Sequence, residues 1–396
     1  MREEFEYLVV GKGLWGSAAA RHLSAISDSV AIIGPDEPQQ SESHAGIFAS
    51  HYDQGRLTRR IDTEPVWMHT AVRAIDDYAT LEAASGIRFH TPVGLIMVYP
   101  SDVQAEVSPR AAAVSNNIPH DFYPPGDTNW RTHFPYLDFP DSHWLLYEPF
   151  PTGHINPRKL IQAQLKVAEN QGAAIIREIV TAVAEHADGV VVTTQSGGQF
   201  RAQKVLLAMG AYTNLFGLLE RPLAITVETE TIILAEVSAA EVERLADMPC
   251  LIYMIADPAI SDIYLTPPIQ YADGRFYIKM GANTPADLQP TTLDAVQDWF
   301  HKGDSDAYKT SLTAALHAML PQVEFRSITT KRCIITRTPN RCPIIDQVTD
   351  HIYVAAGANG KGAKGSDTWG WLAAGLMVNG RWWNVLPRDL FKAYYQ

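Results

Sequence analysis

Apolar positions along this chain follow two periods, one typical of strands and one typical of helices. Residues 5–10 form an apolar run of strand length, and residues 17–23 place Ala20 and Leu23 on one helical face. A second apolar run follows at 29–33. This order predicts a strand, a helix and a second strand, which together make a βαβ unit.

Further segments with helical spacing occur at 64–85, 159–171, 292–302, 308–320 and 368–378. Apolar or alternating stretches predict strands at 93–99, 173–176, 178–180, 189–194, 204–211, 225–237 and 351–356, and within 260–280. Residues 86–150 differ in character, because prolines interrupt their short apolar runs. That region is expected to hold strands and loops outside the opening unit.

These patterns predict an α/β protein with two domains, each discontinuous in sequence. Residues 1–85, 150–222 and 325–396 are assigned to a Rossmann-like nucleotide-binding domain. Residues 86–149 and 223–324 are assigned to an inserted α+β substrate domain built on an antiparallel sheet. A chain of 396 residues is long enough for two domains that share an interface.

Composition narrows the class of protein. A hydrophobic fraction of 46% and a charged fraction of 19% are typical of an ordered globule. The net charge of −12 argues against nucleic acid or an anionic membrane as a partner. No apolar stretch has the length of a bilayer span, and residues 1–10 lack the features of a secretion signal, so a cytoplasmic enzyme is expected. The cysteines Cys250, Cys333 and Cys342 have no metal-ligand spacing.

The turn after the first strand is a G-x-G-x-x-G motif made by Gly11, Gly13 and Gly16. Gly11 permits the tight turn, Gly13 lets the backbone approach a pyrophosphate, and Gly16 lets the helix pack closely on the strand. The helix N-terminus then offers N–H groups to the phosphates. In this context the motif predicts nucleotide binding, whereas alone it is equally consistent with a glycine-rich turn without a ligand.

The acid expected to hold the ribose is missing from its usual place. Gly34 follows the second strand where Asp or Glu is expected. We assign the ribose contact to Asp36, with Glu37 or backbone and water as the alternatives.

Four other stretches carry candidate ligand contacts. Arginines at 56, 59 and 60 follow the nucleotide unit. They are candidates for contact with an anion or a flavin, and the alternative is a solvent-exposed basic start of a helix. A buried strand ends at Gly210, and Lys279 lies in an apolar strand, where most lysines lie at an edge. The loop 357–367 is rich in glycine and lies between a strand and a helix, which again points to a ligand-facing helix terminus.

In the order of these motifs the whole chain resembles the monomeric sarcosine oxidase and N-methyltryptophan oxidase family, within the D-amino-acid-oxidase superfamily of FAD enzymes. The cysteine segment and the last glycine loop carry the most specific likeness. Cys333 precedes Thr338-Pro339 and Ile344-Ile345-Asp346 at the family's spacing. The resemblance implies an FAD-binding domain of glutathione-reductase type and covalent attachment of the flavin to Cys333.

The resemblance also assigns roles to individual residues. It places Arg56 near the flavin ring and Arg59 on the substrate carboxylate. Lys279 matches the lysine that promotes reaction of reduced flavin with O2, and Lys364 matches the lysine at the flavin and the substrate carboxylate. The remaining cofactor contacts that we assign are Gly11, Gly13, Gly16, Asp36, Val180 at the adenine, Gly210, Gly360 and Gly362.

The implied activity is oxidation of a secondary, N-methylated or cyclic amino acid, with imine hydrolysis and reduction of O2 to H2O2, by a monomeric enzyme. Ile335 and Asn283 replace a tyrosine and a histidine that sarcosine oxidase has near its substrate, which favours a bulkier or more apolar substrate than sarcosine. The alternatives are a dehydrogenase of the same fold that reduces a quinone or another carrier, a non-enzymatic FAD-binding protein, and an NAD dehydrogenase.

Overall fold

The computed structural model describes residues 3–39, 44, 46–102 and 109–396. Its strands are β1 (Glu4–Val10), β2 (Val30–Ile33), β3 (Arg56–Thr58), β4 (His90–Thr91), β5 (Leu95–Tyr99), β6 (Asp121–Tyr123), β7 (Trp144–Glu148), β8 (Gly153–Ile155), β9 (Ala174–Ile176), β10 (Val180–His186), β11 (Gly189–Thr194), β12 (Gln199–Leu207), β13 (Thr226–Val237), β14 (Cys250–Tyr253), β15 (Ser261–Leu265), β16 (Ile269–Gln270), β17 (Phe276–Asn283), β18 (Phe325–Arg337), β19 (Ile344–Gln347) and β20 (Ile352–Ala356).

Its helices are α1 (Leu14–Ser24), α2 (Pro65–Ser85), α3 (Pro109–Ser115), α4 (Trp130–His133), α5 (Pro157–Asn170), α6 (Ala239–Arg244), α7 (Leu293–Lys302), α8 (Lys309–Met319) and α9 (Ser366–Asn379). The helices predicted from the apolar period are confirmed, with ends that differ by at most three residues. Within the described ranges no helix has the length and apolar character needed to cross a membrane.

The first sheet is the Rossmann-like core. Strands β9, β2, β1, β12 and β20 run parallel, with β19 antiparallel on β20 and the β10–β11 hairpin extending from β12. Helices α1, α5, α2 and α9 pack together over one face. Small residues allow the closest of these contacts, because a Cβ on Gly370 of α9 would lie 2.4 Å from the Cβ of Ala18 on α1.

The second sheet has the order β18, β13, β17, β15, β14, β5, β7, β6, with β16 attached to β17. All its pairs are antiparallel except β14 with β5. One face packs on α8 through an apolar cluster that includes Ile233, Ile278, Leu312 and Leu316. The parallel nucleotide-binding sheet and the largely antiparallel second sheet agree with the predicted fold class.

One predicted domain boundary differs from the sheet pairing. Residues 325–396 were assigned to the nucleotide-binding domain, but β18 pairs with β13 from Phe325 to Arg337 and so belongs to the second sheet. The pattern of a single strand does not specify its partner strand, which is why the boundary falls too early. Cys333 is therefore carried by the second sheet, where that sheet meets the first.

Candidate active site

A cavity of about 600 Å³ lies between the two sheets. Its wall includes the turn after β1, the ends of β2 and β12, the loop before β3, one face of the second sheet and the loop after β20. Of the residues predicted to form the site, the wall includes Gly11, Gly13, Arg56, Arg59, Val180, Gly210, Cys333, Gly360, Gly362 and Lys364. The structure thus brings segments that are distant in sequence to one concave surface.

The three glycines of the first turn have distinct geometries. Gly11 has φ +107°, and a Cβ there would lie 2.3 Å from the Ala208 carbonyl oxygen. A Cβ on Gly16 would lie 1.9 Å from the Gly11 oxygen, so Gly16 packs behind the turn. A Cβ on Gly13 would have His51 Nδ1, at 3.8 Å, as its nearest neighbour, so the space beside Gly13 is open cavity. This cradle at the start of α1 fits a pyrophosphate.

Neither predicted ribose acid belongs to the cavity wall. Asp36 is exposed, accepts a hydrogen bond from Lys12 Nζ and pairs with Arg177 Nε at 3.1 Å. Glu37 pairs with Arg158 Nη2 at 2.5 Å. Gly34 does line the cavity, and a Cβ there would lie 2.7 Å from the Lys12 backbone nitrogen. An acidic side chain at 34 would therefore collide with the first turn, and the role of Asp36 stays a prediction.

Two further segments, around Val180 and at Gly210, line the nucleotide side of the cavity. Val180 begins β10 and is buried, and it lines the cavity together with Glu178 and Ile179. Gly210, with φ +57°, starts a 3-10 turn that leads away from β12 along the wall. Within 4 Å a Cβ on Gly210 would meet no atom, so this position favours glycine for its backbone angle.

A buried ion cluster forms the cationic part of the wall. Asp62 is 4% exposed, and its carboxylate lies 3.0 Å from Arg59 Nη2, 2.6 Å from Lys364 Nζ and 3.0 Å from Lys361 Nζ. Burial alone would raise the pKa of Asp62, but Lys364, Arg59 and Lys361 together hold it far below its usual range. Lys361 also pairs with Glu64 Oε2 at 2.5 Å, so the positive charge that faces the cavity comes mainly from Arg59 and Lys364 around the single Asp62 carboxylate.

Lys364 makes one of the three ion pairs to Asp62 and is 2% exposed. Burial, followed by repulsion from Arg59, lowers its pKa to about 7 in spite of Asp62. Its backbone carbonyl accepts a hydrogen bond from the Tyr78 hydroxyl at 2.7 Å, which fixes the loop on α2. Sequence reasoning missed Asp62, and its spacing of three residues from Arg59 was the available signal.

Lys279 lies behind the wall and does not line the cavity. It is 1% exposed, and its Nζ donates to Asp53 Oδ2 at 2.8 Å and to the Gly55 carbonyl at 2.5 Å. Burial, followed by repulsion from Arg56, lowers the pKa of Lys279 to about 8. Asp53 also accepts hydrogen bonds from Arg56 Nη1 and from the Tyr271 hydroxyl.

Asp53 therefore holds two of the predicted site cations. Although its burial opposes ionisation, Lys279 and Arg56 keep the pKa of Asp53 well below its usual value. Arg56 reaches the cavity wall and also donates to the Ser50 carbonyl. Arg56 thus lies in the cavity wall, and Lys279 is joined to it through Asp53, which accepts from both cations. The roles of Arg56 and Lys279 stay predictions.

Cys333 lines the cavity from β18, where it is half-buried and directly opposite Glu230 of β13. Its backbone carbonyl accepts a hydrogen bond from Trp299 Nε1 at 2.9 Å. Burial raises the pKa of the thiol, so the neutral form predominates. Of the other cysteines, Cys250 is buried in β14 and Cys342 follows β18, and neither lines the cavity.

Glu230, which is buried, and Tyr264, which is half-buried, form a polar pair in the wall that sequence reasoning missed. The Tyr264 hydroxyl donates to Glu230 Oε1 at 2.7 Å, and Glu230 is 7% exposed. Burial raises the pKa of Glu230 above its usual value. A Cβ on Gly281 would lie 2.4 Å from the Tyr264 ring, so this glycine lets the ring lie flat on the sheet. Strand β13 carries glutamates at 228, 230 and 236, so its pattern alone did not distinguish Glu230.

The remaining wall of the second sheet is largely apolar. Its apolar side chains include those of Met97, Tyr99, Ile252, Met254 and Ile335. Asn283 and Asp262 add one polar point, joined by a hydrogen bond of 2.7 Å from Asn283 Nδ2 to Asp262 Oδ2. Asp262 has φ +51°, in the left-handed region that aspartate adopts more readily than most non-glycine residues.

With this geometry in view, the chain matches the family of FAD dependent oxidoreductases, DAO, over residues 6–376, and it belongs to that family. The predicted superfamily and fold class are thereby confirmed, and the protein is an FAD-dependent oxidoreductase.

Two relatives named monomeric sarcosine oxidase are similar in sequence. The protein of Streptomyces avermitilis is 28% identical over 216 residues, a match that covers 54% of this chain and only 53% of that protein. The protein of Arthrobacter sp. strain TE1826 is 22% identical over 390 residues, covering 96% of this chain and 94% of that protein.

Solved structures show the same fold. NikD, described as an unusual amino acid oxidase essential for nikkomycin biosynthesis, superposes with a TM-score of 0.78 at 21% identity and covers 99% of this chain and 98% of its own. Glycine oxidase from Geobacillus kaustophilus gives a TM-score of 0.72 at 19% identity, with 98% of both chains covered.

Proposed function

We propose that this enzyme oxidises a secondary, N-methylated or cyclic amino acid with an apolar substituent, using O2 as the electron acceptor and releasing an imine and H2O2. The observation that carries the proposal is the combination in one cavity of a pyrophosphate cradle, a cluster of buried cations and an apolar wall. Similarity to the monomeric sarcosine oxidases and to NikD supports the substrate class.

The nucleotide side of the cavity fits FAD. The cradle at Gly11 and Gly13 would hold the pyrophosphate, and the backbone at Val180 would meet the adenine. Bound FAD supplies the acceptor for a hydride from the carbon beside the substrate nitrogen. Cys333, in the wall with Arg56, is the proposed point of covalent attachment.

Arg59 and Lys364 are the proposed anchors of the substrate carboxylate. Among the described residues Arg59 makes one ion pair, through Nη2, which leaves other guanidinium N–H groups for a second carboxylate. Asp62 pairs with both Arg59 and Lys364, which fixes their positions and reduces the repulsion between the two cations. A fixed carboxylate determines which C–H bond of the substrate is presented for oxidation.

The apolar wall is the proposed site of the substrate's side chain or ring. Ile335 lies on the same strand as Cys333 and two residues beyond it, so both face the cavity. Ile335 and its apolar neighbours would exclude water from a hydrocarbon group, and burying one methylene contributes about 0.8 kcal/mol. This favours pipecolate, proline or an N-methylated apolar amino acid over sarcosine.

A specific observation also supports the second candidate, a dehydrogenase that reduces another carrier. Lys279, the proposed oxygen-activating cation, is held behind the wall by Asp53, which compensates its charge. If the ion pair between Lys279 and Asp53 is kept when FAD is bound, Lys279 stabilises the negative charge that develops on O2 less strongly.

One pair of measurements tests the proposal. The purified protein is mixed without oxygen with secondary, N-methylated, cyclic and primary amino acids, and flavin absorbance is followed; peroxide release is then assayed in air. We expect bleaching by apolar secondary amino acids, followed by peroxide formation. Bleaching without peroxide would establish the dehydrogenase, and no bleaching by any amino acid would refute the amino acid substrate class.

A further inference from the structure

A buried carboxyl group in the cavity wall is not used by the proposed binding of the carboxylate or of FAD. Glu230 lies on β13 with its side chain in the wall and is 7% exposed. Its Oε1 accepts the hydrogen bond from the Tyr264 hydroxyl. Its Oε2 makes no hydrogen bond to any residue in the described ranges. Because Oε2 is not one of the fully buried side-chain atoms that lack a partner in those ranges, it is open to the cavity and can accept a hydrogen bond from a partner there.

The charge pattern of the cavity indicates what that partner is. The cations Arg59, Lys361 and Lys364 cluster on one part of the wall, whereas Glu230 offers an acid on the face of the second sheet. Apolar side chains, including Ile252 and Ile335, occupy other parts of that face. A molecule with a carboxylate, an ammonium group and a hydrocarbon part matches all three regions, and an amino acid has these parts.

We infer that Glu230 binds the amino nitrogen of the substrate and accepts its proton before oxidation. This inference rests on the proposed function and names a catalytic residue for it. An amino acid enters with a protonated nitrogen, which has no lone pair and cannot release the adjacent hydride. The N–H bond breaks, its electron pair stays on nitrogen, and the proton forms an O–H bond with Oε2. The neutral nitrogen would then supply the electron pair that stabilises loss of the adjacent hydride, which bound FAD would accept, and water would hydrolyse the resulting iminium ion.

The surroundings of Glu230 are suited to this transfer. Burial raises its pKa, which makes the carboxylate a stronger proton acceptor, while the Tyr264 hydrogen bond stabilises its charged form. The charged and titratable groups that face it from the neighbouring elements are Tyr264, Arg56, Lys279, Asp287 and Cys333. Arg56 and Lys279 lower its pKa, and Asp287 raises it.

The first test uses Glu230→Gln, which keeps the shape of the side chain and an oxygen that can accept from Tyr264. The control is Glu236→Gln, a buried glutamate of the same strand that contacts Arg275 and Ser327 and does not line the cavity. Reduction of the flavin by pipecolate is followed by stopped flow without oxygen as a function of pH. We expect Glu230→Gln to slow reduction near neutral pH by about a hundredfold, and Glu236→Gln to leave it within about twofold.

The pH profile separates proton acceptance from a structural role. The wild-type rate should rise with pH as Glu230 ionises, and Glu230→Gln should lose that rise, following only the ionisation of the free substrate. Tyr264→Phe should move the rise to higher pH, because it removes the donor that stabilises the Glu230 carboxylate. Unchanged profiles in both variants would overturn the inference.

A binding measurement provides a readout that does not depend on turnover. Cyclohexanecarboxylate has the ring and carboxylate of pipecolate but no nitrogen, and its binding is read from the flavin absorbance. Glu230→Gln should leave its Kd within about twofold, while the apparent Kd of pipecolate rises about tenfold. Equal weakening of both ligands would show that Glu230 only maintains the shape of the cavity.

The outcomes distinguish this inference from the proposed function. If pipecolate does not reduce the flavin, the fastest N-methyl amino acid and its nitrogen-free carboxylic acid replace the pair. If no amino acid reduces it, the proposed function fails and this assignment fails with it. If reduction occurs and Glu230→Gln behaves like Glu236→Gln, the assignment of Glu230 alone is wrong.

Discussion

Lys279 Nζ lies 2.8 Å from Asp53 Oδ2, and both side chains are almost fully buried behind the cavity wall. Burial, followed by repulsion from Arg56, lowers the pKa of Lys279 to about 8. The Asp53 carboxylate opposes this shift and raises the pKa. Asp53 therefore keeps Lys279 protonated near neutral pH, although it also screens the charge. Both effects bear on the proposed reaction with O2.

Lys279→Met is expected to slow reoxidation of the reduced flavin by O2 far more than its reduction by substrate, because the proposed role of the cation is confined to the oxygen step. Stopped-flow measurement of the two half-reactions checks this, and the reduction rate is the internal control. Equal effects on both half-reactions would remove Lys279 from the oxygen step.

Asp53→Asn should resemble Lys279→Met at alkaline pH. Without the carboxylate the pKa of Lys279 falls below about 8, so the lysine loses its proton at lower pH than in the wild type. Reoxidation should then be slow near pH 8 and recover as the pH falls, whereas Lys279→Met stays slow throughout. A reoxidation rate in Asp53→Asn that does not change with pH would contradict this account.

Covalent attachment is tested at Cys333. The thiol lies in the cavity wall opposite Glu230, so we expect acid-precipitated protein to retain its yellow colour and Cys333→Ala to release it into the supernatant. Cys342→Ala is the matched control, since that thiol is outside the wall. A colourless wild-type pellet would show that FAD is bound without a covalent bond.

The parts of the fold that could be predicted from sequence were those set by local pattern. The period of apolar residues gave the helices, and the turn from Gly11 to Gly16 gave the nucleotide cradle, because each depends on neighbouring residues. The partner of β18 could not be predicted, since pairing with β13 joins segments far apart in the chain. That is why the boundary at 325 falls in the wrong place.

Side-chain partnerships at the site show the same limit. Arg59 and Lys364 were identified by resemblance, but the carboxylate that joins them, Asp62, is defined only by folding. Glu230 had no motif around it, and its importance comes from burial and from its place opposite Cys333. Gly34 stands where an acidic ribose ligand is expected, and the reason is its close approach to Lys12, which only the structure shows.

Substrate binding should depend on pH through Lys364. A carboxylate ligand pairs with the protonated lysine, whose pKa is about 7 before a ligand adds its charge. Affinity for cyclohexanecarboxylate should therefore be highest at low pH and fall as the pH rises through the pKa of Lys364. Binding would raise that pKa, because the anion stabilises the cation. Flavin absorbance titrations across the pH range measure this, and Lys364→Met should give weak affinity that hardly varies with pH.

The glycines of the first turn separate folding from cofactor binding. In Gly16→Ala the new Cβ would lie 1.9 Å from the Gly11 oxygen, so the turn or α1 must move, and the free energy of unfolding should fall by about 3 kcal/mol. In Gly13→Ala the Cβ enters open cavity, with its nearest neighbour at 3.8 Å, so the apoprotein should keep its stability. That methyl group lies where the pyrophosphate is proposed to approach, so FAD affinity should fall instead. Both glycine variants are made in the Cys333→Ala background, in which FAD is not covalently held and apoprotein can be prepared. Denaturant unfolding of these apoproteins and titration with FAD measure the two effects, and a Gly13→Ala protein that binds FAD as well as its Cys333→Ala parent would place the pyrophosphate elsewhere.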